Sequence, residues 1–371
     1  MEFSIRKTDL VRELSLSQGV VEKRTTIPIL SNVLIEARQG QVQLTATDLE
    51  LGIRCVCPAQ VLVEGAGTLP ARRLLDYVRL LPDVEVNFQF LENEWATIRC
   101  GRSRTRMAGM SRESFPELPP MPEVVAELPP HVLSDMIART IFAVSTEESR
   151  FTLNGALLVL KATGSVMVAT DGHRLAYIEV PAELPRLTMP FRALLPRKAM
   201  GELLKLGQET EQGSMVRLAG DENHLFFGVG RRLLITRKLS GSFPDYERVL
   251  PREAQITVVL DRDEVRAAIE RVSQFADERS HAIRIQLVPG EVRFHSSVSD
   301  TGESEEAVPA QYEGEPFEIS FNASYILDFL RATTEEQVQF NFRDPQSAAE
   351  MRPAGDHGGY SYRYVVMPMR L

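Results

Sequence analysis

The chain has 371 residues, 43% hydrophobic and 25% charged, with a net charge of −9. That length suggests two to three domains of ordinary globular composition, and no stretch approaches the ~20 apolar residues of a membrane span. The acidic balance excludes a chain that coats nucleic acid with its entire surface, but not a positive face on a negative body, because a phosphate responds to the local field.

The start, Met1–Lys7, lacks the apolar run of a secretion signal. The three cysteines, Cys55, Cys57 and Cys100, are too few and too odd in number for a disulfide framework, which fits a cytoplasmic location. Cys55 and Cys57 share a face of any strand, but a metal would need two more ligands nearby, so no metal or cofactor is expected.

The first third opens with a strand-like run at Phe3–Ile5, then a helix with Thr8 as its cap and Leu10, Val11 and Leu14 on its stripe. Short alternating runs at Val33–Ala37, Val42–Thr47 and Leu51–Cys57 read as antiparallel strands, with Gln39-Gly40 as a tight turn. A second helix follows at Pro70–Leu81, then strands at Val84–Phe88, Trp95–Arg99 and Arg104–Met107. The Pro-rich piece Phe115–Pro122 is a linker.

The middle third repeats this grammar. Pro129 and Pro130 precede a helical stripe of Val132, Leu133, Met136 and Ile137, followed by strands at Leu157–Leu160, Val166–Thr170 and Ala176–Val180. Next come a second helix after Pro196 and strands at Val216–Leu218, Leu225–Val229 and Leu233–Arg237. Phe243–Pro251 is a second linker. The last third begins with Ile256–Leu260 and a helix capped at Asp261 or Asp263, with strands at Ala282–Leu287, Val292–Ser296, Ala307–Tyr312, Phe317–Ser320, Val338–Phe342 and Tyr362–Met367; its second helix starts at Asn322.

Pro70, Pro196 and Asn322, each at the start of such a helix, stand 126 residues apart. Equal spacing across the whole chain is the signature of a repeated unit. The chain therefore reads as three α+β domains, at 1–122, 126–247 and 253–371, each with two helices packed on antiparallel sheet and its own core. Head-to-tail pairing of such repeats, if it closes, gives a ring. Helix positions read as exposed carry Arg72, Arg73, Arg79, Arg139, Arg197, Lys198, Lys205, Arg266, Arg271 and Arg331, which would form a basic wall if the paired helices of each domain face one way.

Asp48 and Asp171 fall in matching repeats, in Thr-Ala-Thr-Asp and Val-Ala-Thr-Asp, and His173 follows the second. The trio could make a metal-dependent phosphoesterase. An Asp at the same turn of each repeat is more simply a turn residue. No Gly-Lys-Ser/Thr phosphate loop, His-Glu-x-x-His or Gly-x-Ser-x-Gly occurs.

Arg24–Leu30, Leu44–Glu50, Leu69–Arg73, Gly101–Arg104, Ala169–Leu175, Pro196–Lys198, Phe243–Tyr246, Phe321–Tyr325 and Tyr364–Leu371 together resemble the bacterial sliding clamp, the β subunit of DNA polymerase III, from end to end and in order. The resemblance implies the DNA-clamp fold, closed as a head-to-tail homodimer around duplex DNA, with no catalysis of its own. It implies short clamp-binding peptides as ligands, from the polymerase III α subunit, the clamp loader, other polymerases and repair proteins. Their pocket would be lined by Leu153, Thr170, Gly172, His173, Arg174, Leu175, Pro244, Arg248, Val249, Val365, Val366, Met367, Pro368, Met369 and Arg370. Arg24, Arg73, Arg197 and Lys198 match DNA-facing positions. At the dimer seam Arg102, Arg104 and Met107 would face Phe275, Glu303, Glu305 and Glu306 of the other protomer. The chain departs from some relatives at Phe151-Thr152, where they carry two aromatics, and over Pro345–Gly359, a longer segment that would alter the pocket rim near Gln346 and Ala348.

Overall fold

Six α-helices stand among the described residues of the computed structural model, which are 1–22, 25–208, 213–300, 302–355 and 359–370. They are α1 (Lys7–Val20), α2 (Ala71–Leu80), α3 (Pro130–Ala138), α4 (Arg197–Gln208), α5 (Arg262–Val272) and α6 (Ala323–Ala332). The periodicity that predicts them is the one they bury: Leu74, Leu75 and Val78 on α2, Met200 and Leu203 on α4, Ile326, Leu327 and Leu330 on α6. Asn322 caps α6 by accepting from Ser324 N (2.8 Å), and Asp261 caps α5 by accepting from Glu264 N (2.9 Å). Thr8 is not the cap of α1. The cap position falls two residues earlier, at Arg6, with no side-chain cap bond, and the helix begins at Lys7.

Contacts divide the chain into two compact units, Met1–Ser134 with Lys198–Lys238, and Asp135–Arg197 with Leu239–Leu371. In the first unit an eight-stranded antiparallel sheet runs in the order 126–128, 216–220, 224–229, 232–237, 51–58, 41–47, 32–38, 65–70. In the second, another runs 191–196, 155–161, 164–170, 174–181, 361–366, 349–353, 337–342, 256–261. Both large sheets run across the boundaries between the thirds. In one sheet, Leu51–Cys55 pairs with Arg232–Thr236; in the other, Arg174–Glu179 pairs with Ser361–Val366. Both pairings join strands from different thirds.

Each unit also holds a smaller sheet. In the first unit five strands run 60–63, 2–6, 85–90, 95–100, 103–108, and in the second four strands run 302–309, 291–298, 282–288, 317–322. The Gln39-Gly40 turn has positive φ at both residues (51° and 74°), the geometry of a two-residue hairpin turn. Short strands at Gln60–Val63, Ala126–Leu128 and Ala349–Pro353, of four, three and five residues, add to those read from sequence. The strand expected at Ala307–Tyr312 lies instead at Gly302–Pro309, because it is an edge strand with only Val308 buried.

Arg139 is not an exposed helix residue. It lies just past α3, 5% exposed, its guanidinium over the rings of Tyr360 (4.6 Å) and Tyr362 (5.8 Å) and bonded to Glu335 and Thr334.

Candidate functional site

In the second unit the turn after strand Gly164–Thr170 is built by one aspartate. Asp171 Oδ1 accepts from His173 N (2.9 Å) and Arg174 N (3.1 Å), while Thr170 Oγ1 donates to Arg174 O (2.6 Å). Gly172 sits at φ 91°, a backbone region where a side chain is strained. The Arg174 guanidinium then ties the turn to its surroundings. It donates to Asp171 Oδ2 (3.0 Å), to Asp328 Oδ2 (2.6 Å) and to the Phe142 carbonyl (2.7 Å), and lies 4.4 Å over the Tyr325 ring. Burial opposes its charge, but the Tyr364 hydroxyl, Asp328 and Asp171 outweigh that and hold its pKa above the ordinary arginine value. Arg174 thus positions the turn rather than presenting a free cation. Tyr325 and Asp328, three apart on α6, share a helix face, a spacing that could have flagged them in sequence.

The segment after the last strand is held by the same turn. Met367 N donates to His173 O (3.0 Å) and Met369 N to Ser320 O (2.8 Å). Beneath lies a core of Leu157, Val159, Val166, Val168, Leu175, Leu194, Tyr246 and Val365. Of the predicted pocket residues, Thr170, Leu175, Val365 and Val366 are buried; Leu153, Arg174, Pro368 and Met369 are half-buried; Gly172, His173, Pro244, Arg248, Val249, Met367 and Arg370 are exposed. Arg248, Val249 and Met367 are brought together on a cleft of about 890 Å³, whose other wall includes Gln346, Ser347 and Ala348. The other predicted residues do not line that cleft. The long segment from Pro345 therefore does form part of its rim. Asp344 fixes it, its carboxyl pulled down to about 2 by the Ser347 hydroxyl and the Gln346 backbone N–H.

In the first unit the homologous turn is made by Asp48, whose Oδ1 accepts from Glu50 N (2.9 Å) and Leu51 N (2.6 Å). Here Leu49 takes the positive φ (80°) that Gly172 takes in the other unit. Arg237 N donates to Glu50 O (2.8 Å) as Met367 N does to His173 O, so the two units reuse one scaffold.

Of the four DNA-facing positions predicted, Arg24 lies outside the described residues. Arg73, on the first turn of α2, is exposed. Arg197 and Lys198 open α4, Arg197 donating to the Val144 carbonyl (3.3 Å). Cations at a helix N-terminus oppose the helix dipole and cost about 0.3–1 kcal/mol, so their placement at α2 and α4 serves something other than helix stability; the same helix ends suit an anion. Several other basic helix residues are neutralised within the chain: Arg271 grips Glu306 with two 2.7 Å bonds, and Arg266 and Arg331 share Glu270.

The predicted seam residues lie on or beside two edge strands. Ser103–Ala108, carrying Arg104, is the last strand of the five-stranded sheet, with Arg102 in the turn before it. Gly302–Pro309, carrying Glu303, Glu305 and Glu306, is the first of the four-stranded sheet. Arg102, Arg104, Glu303 and Glu305 are exposed and Phe275 is 36% exposed, but Met107 is buried in its own unit and Glu306 is engaged by Arg271.

The phosphoesterase reading of Asp48, Asp171 and His173 is corrected. Both carboxylates are spent on their turns and on Lys198 or Arg174, the His173 ring stacks on Tyr325 (6.5 Å), and no described residues form a cluster of three or more His, Cys, Asp or Glu able to hold a metal.

Residues 1–119, 127–245 and 247–370 match, in turn, the N-terminal, central and C-terminal domains of the DNA polymerase III beta subunit. The chain is 36% identical to the beta sliding clamp of Pseudomonas aeruginosa and 34% to that of Chlamydia muridarum, over all of this chain and 100% and 99% of theirs. The crystal structure of the P. aeruginosa sliding clamp bound to griselimycin superposes with a TM-score of 0.94 at 36% identity, covering all of both chains. The chain belongs to the DNA polymerase III beta subunit family, the beta sliding clamps.

Proposed function

We propose that two copies of this chain join head to tail into a ring around duplex DNA in the cytoplasm and tether the replicative polymerase to its template. The ring carries no catalysis; it holds its partner by topology. Three clamp domains, at 1–122, 126–247 and 253–371, make each half. Arg24, Arg73, Arg197 and Lys198 touch phosphates without reading bases, which leaves the ring free to slide. The polymerase III α subunit, the clamp loader and other polymerases and repair proteins dock by short peptides on the surface from Leu153, Thr170, Gly172, His173, Arg174 and Leu175 to Pro244, Arg248, Val249 and Val365–Arg370. Its exposed Met367 and half-buried Met369 suit many partners, since methionine repacks around different side chains.

One observation supports the closure above the rest: one sheet ends on a strand that carries exposed Arg104, with exposed Arg102 in the turn before it, the other on a strand with exposed Glu303 and Glu305, and neither edge has a strand beyond it among the described residues. Pairing these edges across two protomers satisfies their backbone groups and matches opposite charges, which sets the head-to-tail register. Size-exclusion chromatography with light scattering should give twice the 41.6 kDa chain mass. Arg104→Glu should shift the equilibrium toward monomer, with Glu303→Arg and Glu305→Arg in the same chain partly restoring the dimer. A native monomer at micromolar concentration would contradict the reading.

A further inference from the structure

Lys198 differs from Arg73 in one respect: its charge is already engaged. Its Nζ donates to Asp48 Oδ2 and to the Val20 carbonyl (3.2 Å), with Glu22 Oε1 3.9 Å away. The Lys198 side chain is 41% exposed, so it remains within reach of an outside anion, whereas the Asp48 side chain is 6% exposed and fixed in place. Asp48 Oδ1 is committed to the turn, leaving Oδ2 to face the ammonium.

We propose that Asp48 is a positioning residue that acts through Lys198 as a built-in competitor for DNA phosphate, keeping that contact weak. The inference rests on the reading that Lys198 faces DNA. A phosphate approaching the start of α4 finds an ammonium already held by one carboxylate, with a second nearby, and gains only the difference between two anions. A ring that must travel along DNA needs such shallow contacts; a cation with no internal partner would bind phosphate more deeply and slow it.

The test uses the full chain and a fluorescent duplex oligonucleotide, with binding followed by anisotropy across a sodium chloride series. Asp48→Asn removes the charge and keeps an Oδ1 acceptor for the turn. It should tighten binding at low salt about two- to five-fold, the range of an exposed ion pair. It should also steepen the slope of log K against log salt by up to about 0.9, one further phosphate contact. Both effects should vanish when Lys198→Ala is present as well. Glu22→Gln, which leaves the turn untouched, should shift binding the same way by less. Binding that is unchanged or weaker in Asp48→Asn, while Lys198→Ala weakens the wild-type chain, overturns the inference and leaves the DNA reading standing. Equal tightening by Asp48→Asn with or without Lys198 overturns it too, since the effect would then be a general loss of negative charge. If Lys198→Ala changes nothing in either background, the reading beneath the inference fails.

Discussion

Arg174 and Glu13 show how single buried charges set the geometry of each unit. Arg174 is bound by two carboxylates and a carbonyl, so Arg174→Ala leaves Asp171 and Asp328 facing each other's neighbourhood without their cation. Removing one partner of such a pair costs about 3 kcal/mol, at the lower end of the buried range because Asp328 is part-exposed. Urea unfolding should register that loss, with Arg174→Lys intermediate because a single ammonium cannot reproduce the fork. Glu13, its side chain 3% exposed, receives Arg232 at 2.8 and 2.7 Å and Arg12 at 2.8 Å. Burial alone would raise its pKa, but the bonds from Arg232 and Arg12 outweigh it and leave it lowered. A carboxylate whose folded pKa lies below its unfolded value of about 4.3 adds stability above that pH and loses it as pH falls through the folded value. The urea midpoint should therefore drop below about pH 4. Glu13→Gln should be less stable at pH 7 and show a shallower acid loss; an identical pH profile in the two proteins would remove Glu13 from this role.

At the scale of elements, helices and the motif turn were legible and two other kinds of feature were not. The 3.6-residue stripes of α2, α4 and α6 and the caps at Asp261 and Asn322 are local, so sequence suffices. The strand Gly302–Pro309 runs through four polar residues, Glu303–Glu306, and buries only Val308, so an edge strand of that kind leaves little alternation to read. Arg139 was misplaced because what buries it, Tyr360 and Tyr362, lies more than two hundred residues away in sequence. Equal helix spacing showed three repeats but not that the sheets run across them, since strand pairing between thirds has no local signature. The pocket residues came from motif resemblance; geometry separates those that anchor the turn, such as Arg174 and Thr170, from those left exposed, such as Met367 and Val249. Deleting residues 367–371 should abolish binding of a polymerase-derived clamp-binding peptide in fluorescence polarisation while the dimer mass is retained. Peptide affinity that survives the deletion would exclude the tail from the docking surface.

For the whole molecule, what matters is linkage rather than affinity. The chain is acidic overall, its helix cations are largely paired within the chain, and Lys198 is shared with Asp48, so direct attraction to DNA is modest. A protein of this kind stays on DNA only if it surrounds it. The decisive measurement is retention on nicked circular duplex after loading by a bacterial clamp loader, followed by cutting the circle once with a restriction enzyme. The chain should co-elute with the circle and run off within minutes once the DNA is linear. Equal retention on circular and linear DNA, or none on the circle, would contradict encirclement.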